Sequence, residues 1–400
     1  MGQSLSIICQ GVCFILIARL LGTTEYGIYA GAVAMVSILS QYSPLGFSYV
    51  LVRYVSQNPK SFAVYWGNVL VTTFSFGSLL VGFLTWGGPH WAHSYFWVMV
   101  LCIAIGDCLC VQLATAAGQV FLSFEKLRIT AIVSLLVNLL RALLAGLMLW
   151  RLHHATARQW ALAALVVSCA AASSALILVT RRYGAPVFSL QVWRQRIGEA
   201  FVFALSNSTE GVYNNIDKAM LGHYGMNAAN GIYTMAYRVI DLCMMPIISV
   251  HNAAFPRFFR KGLEGVQGTG AYARRILKRT APMVLLLVPI MFLAAPVIPY
   301  LLGSGFKESV SALRWLCLLP FFRCFHWSAG DALTGAGHQK VRLSIQGLAA
   351  GFNFAANLYL IPRYSWLGAA WSSLATDGLL AALNWTALFW LTSGNRFKAS

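Results

Sequence analysis

Residues 18–29 read ARLLGTTEYGIY, and residues 220–233 read MLGHYGMNAANGIY. In each stretch an apolar run reaches Leu-Gly, a short polar spacer follows, and a second apolar run opens on Gly-Ile-Tyr. Gly27 and Gly231 share an offset with Arg53 and Arg257, so both runs that open on Gly-Ile-Tyr close on an arginine. A second echo pairs Lys126-Leu-Arg128 with Lys340-Val-Arg342, with Asn138 and Asn353 following 12 and 13 residues after the lysines. These echoes predict a duplicated unit.

The 400 residues are 58% hydrophobic and only 10% charged, against about 25% charged in a soluble domain. Apolar runs long enough to cross a bilayer, about 17–25 residues, recur along the whole chain. They fall at 4–22, 27–51, 62–86, 96–120, 127–150, 159–180, 197–221, 229–252, 279–302, 309–333, 341–361 and 366–391. A span in lipid must satisfy its own backbone hydrogen bonds, so the fold class is an all-α polytopic membrane protein of about twelve helices. The polar connection RRYGAPVFSLQVWRQR divides it into lobes 1–182 and 197–400, joined by a cytoplasmic linker at 183–196. With six helices each, the two lobes share one orientation and are related by an axis along the membrane normal. Such a repeat places a central lumen between them.

The net charge of +18 follows the membrane rather than nucleic acid. With the N-terminus inside, 19 of the 29 Lys and Arg residues fall in cytoplasmic loops, clustered around 53–60, 126–128, 181–196, 257–279, 340–342 and 396–398. Four fall outside: Arg151, Arg158, Lys307 and Arg363. This is the positive-inside bias, with both termini cytoplasmic. All nine cysteines lie within the apolar runs and read as small apolar fillers; Cys108-x-Cys110 has no second pair at zinc spacing. No metal site and no cofactor is expected. The N-terminus lacks the basic region of a cleavable signal peptide, and its match to a myristoylation pattern reads as chance.

A charge at mid-bilayer costs about 2.5–3.5 kcal/mol on insertion scales, so each one accepted needs a reason. Asn207, Glu210, Asn214, Asp217 and Lys218 recur every three or four residues and share one helical face. Two readings are open for that face: the wall of a water-filled cavity, or interhelical glue, with Lys218 snorkelling outward. Arg238 and Asp241, three apart, are spaced to pair with each other. Arg323, Asp331 and Asp377 add charge to later runs, and Asn353 and Asn357 read as packing hydrogen bonds. Asp107 stands alone among cysteines. Arg19 either snorkels or faces inward.

ARLLGTTEYGIYAGAVAMVSIL with the trailing Arg53 resembles the opening of the polysaccharide-transport proteins. These are the O-antigen and exopolysaccharide flippases of the multidrug/oligosaccharidyl-lipid/polysaccharide exporter superfamily. NNIDKAMLGHYGMNAANGIYTMAYRVID (214–241), FPRFFR (255–260), ALTGAGHQKVR (332–342) and NLYLIPRYSWLGAAWSS (357–373) are similar to that family's later stretches. The chain departs from the family in having no basic residue before the first run.

The resemblance implies two six-helix lobes around a lumen that opens alternately to each side. It implies a multi-pass protein of the bacterial inner membrane that flips undecaprenyl-pyrophosphate-linked O-antigen, capsule or exopolysaccharide units. Its partners would be membrane lipid and a polysaccharide polymerase. By position, Arg19, Arg53, Arg257 and Arg238 would bind the pyrophosphate, whose oxygens suit guanidinium forks. Glu210, Asn214, Asp217, Lys218, Asp241, Asp331 and Asp377 would line the lumen or bind H+ or Na+ as coupling ion. Two rivals stand beside it: a cation-coupled multidrug exporter of the same superfamily, and a membrane-embedded polymerase or glycosyltransferase. The latter needs a catalytic acid–base constellation, which the short outer loops do not offer.

The charge bias gives a test. Single cysteines placed in 53–61, 181–196 and 257–278, in a background without native cysteines, are expected to label from the cytoplasmic side only. Labelling of position 260 from outside would overturn the orientation.

Overall fold

In a computed structural model, the described residues are 2–91, 97–124 and 126–394, and every regular element among them is helical. The helices are α1 (Gly2–Ser40), α2 (Phe47–Gln57), α3 (Phe62–Trp91), α4 (Trp97–Ser123), α5 (Leu127–Leu152), α6 (Ala157–Tyr183) and α7 (Leu190–His223). They continue as α8 (Asn227–Gly262), α9 (Gly265–Ala294), α10 (Ser309–Leu316), α11 (Leu319–Gly335), α12 (Gln339–Tyr364) and α13 (Trp366–Gly394).

Eight helices among the described residues are long and apolar enough to cross a membrane by themselves. The first of them, Ile8–Ser40, covers parts of two apolar runs, because α1 breaks at Gly22 (φ 67°, ψ −178°). Glycine tolerates that left-handed φ where other residues are strained, so the Leu-Gly that ends the first run is a real break. The runs at 197–221, 309–333 and 341–361 are helical too, in α7, in α10 with α11, and in α12. The first and third carry the polar residues that matter below, and the second is divided between helices of only 8 and 17 residues.

The chain forms two compact units, Met1–Gly231 and Ile232–Ser400. The boundary falls inside α8, a division by contact that differs from the sequence's division at 183–196.

The first unit sorts its loops into two ends. At one end, Leu20 C=O accepts from Ala155 N at 3.0 Å, and the Glu25 carboxylate accepts from Ala157 N at 2.6 Å. Thr156 caps α6 with a reciprocal bond to Gln159, so Glu25 adds negative charge where the helix dipole is positive. Trp91 Nε1 donates to Ala219 C=O at the same end. At the other end Val187 N bonds Ala63 C=O at 2.8 Å and Ser189 N bonds Asn68 Oδ1 at 3.2 Å. There the Phe124 and Tyr183 rings stack at 4.1 Å and Phe62 packs on Tyr183. Charge bias had assigned the first set of loops to one side of the membrane and the second set to the other, and the structure groups them in the same way. Residues 92–95 of the stretch 87–95 (GGPHWAHSY), expected on the outer side because it holds no Lys or Arg, lie outside the described residues.

The two Gly-Ile-Tyr glycines meet. A Cβ on Gly27 would stand 1.7 Å from the Asn227 carbonyl oxygen, and one on Gly231 would stand 2.1 Å from that of Thr23. Asn230 Nδ2 donates to Gly27 C=O at 3.0 Å across the same contact. Small residues let helix backbones approach this closely. Gly27→Ala and Gly231→Ala are each expected to cost about 1–3 kcal/mol, read as a lower melting temperature in detergent. Gly82→Ala, whose Cβ would meet nothing within 4 Å, is the control and should melt like the parent.

Candidate functional site

Two groups of charged side chains stand out, one in each unit. In the first unit, α2 and the start of α7 pack so closely that a Cβ on Gly46 would lie 1.9 Å from Ala200 C=O. Gly46 sits at φ 79° just before α2, a conformation that favours glycine. That approach brings Arg53 and Tyr54 of α2 onto Glu199 of α7. Arg53 Nη1 donates to Glu199 Oε1 at 2.8 Å, and Tyr54 Oη donates to Oε2 at 3.1 Å. Arg196 Nη1 lies 3.8 Å from Oε2 and its guanidinium sits 4.4 Å over the Tyr54 ring. The Arg53 side chain is 55% exposed, and that of Glu199 is 22% exposed.

In the second unit, α11 carries Arg323, His326 and Asp331 into the interior. Arg323 reaches Asp241 of α8 at 3.2 Å and Asp377 of α13 at 3.6 Å. His326 Nε2 lies 3.1 Å from Asp377, and His251 of α8 lies 3.3 Å from Asp331. Arg342, at the start of α12, reaches Asp331 at 3.5 Å and donates to Thr334 Oγ1 at 2.9 Å. Asp331 and Asp377 thus each stand between an arginine and a histidine, and the Trp327 ring contacts both histidines. Asn353 Nδ2 donates to Thr376 Oγ1 at 3.0 Å and Asn357 Nδ2 to Asn353 Oδ1 at 2.9 Å, the packing role expected of that pair.

Other expected site residues fall as follows. Asp217 is buried in the first unit, where its Oδ1 accepts from Lys218 N at 2.8 Å, while Lys218 Nζ donates to Asn214 C=O at 2.7 Å. The side chains of Asn207 and Glu210 lie outside the described residues. Arg19 and Arg257 are exposed and Arg238 is half-buried. Asp241, spaced to pair with Arg238, is bridged to Arg323 instead. Asp107 is not alone: Ser37 hydrogen-bonds it and Arg141 supplies positive charge nearby. It lies in a π-helical stretch, Ile105–Val111, a local widening that often re-aims a functional side chain. Arg141 donates to Ser168 Oγ at 3.0 Å and lines a cavity of about 450 Å³ with Gln119 and Asn138.

Sequence reasoning missed Glu199, Arg196, His251, His326 and Arg342 as site residues. Glu199 had a signal: it is a lone acid three residues after Arg196, at the end of a basic stretch.

The polysaccharide biosynthesis protein family matches residues 1–261. The chain belongs to that family. Among curated proteins none matches it. Among solved structures it is similar to one described as "Lipid II flippase MurJ, inward closed conformation", with a TM-score of 0.78 and 11% identity, covering 97% of this chain and 85% of that one. It is also similar to an inward-facing multidrug resistance MATE family transporter of the MOP superfamily, with a TM-score of 0.72 and 16% identity, covering 98% and 96%. A third is a MOP superfamily transporter from Pyrococcus furiosus described as having a binding pocket of reverse polarity, with a TM-score of 0.68 and 14% identity, covering 98% and 94%. This polysaccharide biosynthesis protein therefore has the fold of the MOP superfamily transporters and is a multi-pass membrane protein.

Breaking one partner out of a buried ion pair costs about 3–5 kcal/mol, whereas replacing the whole pair with apolar groups is often neutral. Asp377→Ala is therefore expected to lower the melting temperature sharply. Joint replacement of Arg323, His326 and Asp377 by Met, Phe and Leu should recover much of that loss. Equal melting of the Asp377→Ala variant and the parent would show that the network does not support the fold.

Proposed function

We propose that this protein is a flippase for an undecaprenyl-pyrophosphate-linked glycan, an O-antigen, capsule or exopolysaccharide unit, in the bacterial inner membrane. Transport would proceed by alternating access of the two six-helix lobes that the sequence repeat marks, 1–182 and 197–400. The observation that carries this reading is the placement of Arg53. Its guanidinium is exposed at the end of the first unit that the charge bias assigns to the cytoplasm, where a lipid pyrophosphate would arrive. Arg257, its counterpart by the repeat, is exposed in the second unit, and Arg19 and Arg238 would receive the head group further along. An arginine fork meets two phosphate oxygens at once, which a lysine cannot do.

The family supports a place in polysaccharide biosynthesis, and the fold supports transport rather than glycosyl transfer. The multidrug-exporter reading asks for carboxylates that accept a cationic drug. Asp241, Asp331 and Asp377 instead each face an arginine, which makes them poorer acceptors for a cationic drug. H+ or Na+ coupling through Asp217 or Glu210, and partnership with a polysaccharide polymerase, remain part of the proposal.

The test is complementation of a flippase-null strain with protein levels checked by blot. Arg53→Ala with Arg257→Ala is expected to cut glycan export at least about ten-fold, the scale of one lost Arg–phosphate contact of about 1.4 kcal/mol or more. The double lysine variant should fall between. Full export by the double alanine variant would remove both arginines from the mechanism.

A further inference from the structure

The cluster at Glu199 is built for an anion with more oxygens than a carboxylate has. Arg53 and Tyr54 use one carboxylate oxygen each. Arg196 is left 3.8 Å away, beyond a good hydrogen bond, and its buried Nε has no acceptor among the described residues. Its guanidinium is nevertheless held in place. It lies over Tyr54, whose ring stacks on Tyr65 at 5.0 Å and 4°, and a cation over an aromatic face keeps that position. Among these groups two positive charges face one negative charge. We propose that Arg53, Arg196 and Tyr54 form a phosphoryl-binding site whose resting occupant is the Glu199 carboxylate.

A diphosphate esterified at both ends offers two non-bridging oxygens and a negative charge on each phosphorus, against the two oxygens and single charge of a carboxylate. Seated where Glu199 now sits, it would take Arg53 on one oxygen, Tyr54 on a second, and the unused Arg196 fork on a third. Glu199 would then swing out as the displaced ligand. Displacement is easy because Arg53 is exposed and Glu199 partly so: an ion pair near the surface is held by only about a five-fold preference. The carboxylate therefore keeps the arginines preorganised without blocking them. Nothing else in the cluster calls for two guanidinium groups on one acid.

The phosphoryl group has two sources, the diphosphate of a transported polyprenyl lipid or the phosphate of an anionic bilayer lipid. Only the first rests on the transport reading above. The experiment uses the full-length protein purified in a maltoside detergent, which carries no phosphate. It is titrated calorimetrically with undecaprenyl diphosphate, with phosphatidylglycerol and with inorganic pyrophosphate.

Glu199→Gln, which removes the competing charge and keeps the shape, should bind diphosphate about two- to five-fold more tightly. Arg196→Gln should bind it at least about ten-fold more weakly, Arg196→Lys should lie between, and Tyr54→Phe should weaken it about three-fold. Because Tyr54→Phe removes one oxygen and keeps the ring, it tests the site even if a change at Glu199 disturbs folding. Unchanged or weaker binding by folded Glu199→Gln, or parental binding by Arg196→Gln, would overturn the site. Tighter binding of undecaprenyl diphosphate than of phosphatidylglycerol assigns the site to cargo, and the reverse order assigns it to bilayer lipid. A flat binding series with intact arginine-dependent export would sink this site alone. Loss of arginine dependence in export, with the binding series as expected, would sink the transport reading alone.

Discussion

Arg323 stands in the interior of the second unit with a carboxylate on either side, Asp241 at 3.2 Å and Asp377 at 3.6 Å. A guanidinium cannot shed its proton, so its burial has to be met by charge. Desolvation of an ion costs several kcal/mol even in a relaxed protein interior. The rest of that unit is arranged around this demand. α11 brings the cation, α8 and α13 bring the acids, and His326 and His251 occupy remaining carboxylate oxygens. Arg342 performs the same service for Asp331 from the start of α12. Four helices that apolar packing would leave free to slide are held in register by groups that must meet.

The same demand separates the two charged groups by role. In the second unit's network each acid already faces an arginine, and all its acids but the partly exposed Asp241 are buried. The cluster on α2 and α7 is the opposite case. It is partly exposed, carries more positive than negative charge, and contains one arginine whose buried nitrogen has no acceptor among the described residues. Exposed pairs contribute at most about 1 kcal/mol, so stability does not account for its composition. A stabilising network and a responsive one can be built from the same residue types. Burial and the sign of the surplus charge tell them apart.

Much of the fold was legible because lipid restricts the alternatives. Length and apolarity located the helices, and the Leu-Gly at 21–22 marked a break that the backbone confirms at Gly22. The Gly-Ile-Tyr echo held more than a count of helices: its two glycines are the contact where α1 and α8 approach backbone to backbone. Periodicity could show that Asn214, Asp217 and Lys218 share a face, but not that Asp217 is wholly buried there. What stayed hidden was long-range pairing. Glu199 lies 146 residues from Arg53, and no local pattern links them. His251 and His326 sit in apolar helices where a histidine resembles any half-polar filler until its acid appears from another helix. Asp107 looked solitary because its partners, Ser37 and Arg141, come from two other helices.

The placement of Arg53 depends on backbone more than on charge. Gly46 allows α2 to lie against α7 at a separation that no side chain could fit, and the Phe47 and Trp193 rings stack beside it with centroids 6.2 Å apart. With the helices fixed at that distance, residues one and two turns further along α2 face the first turns of α7. A carboxylate at position 199 is then within reach of both Arg53 and Tyr54, while Arg196, three residues earlier on α7, stops 3.8 Å from the oxygen that Tyr54 uses and lies over the Tyr54 ring. The anion-binding geometry is therefore a consequence of a glycine contact several residues away. A larger residue at Gly46 would part α2 from α7 and separate the two guanidinium groups without altering a single charge.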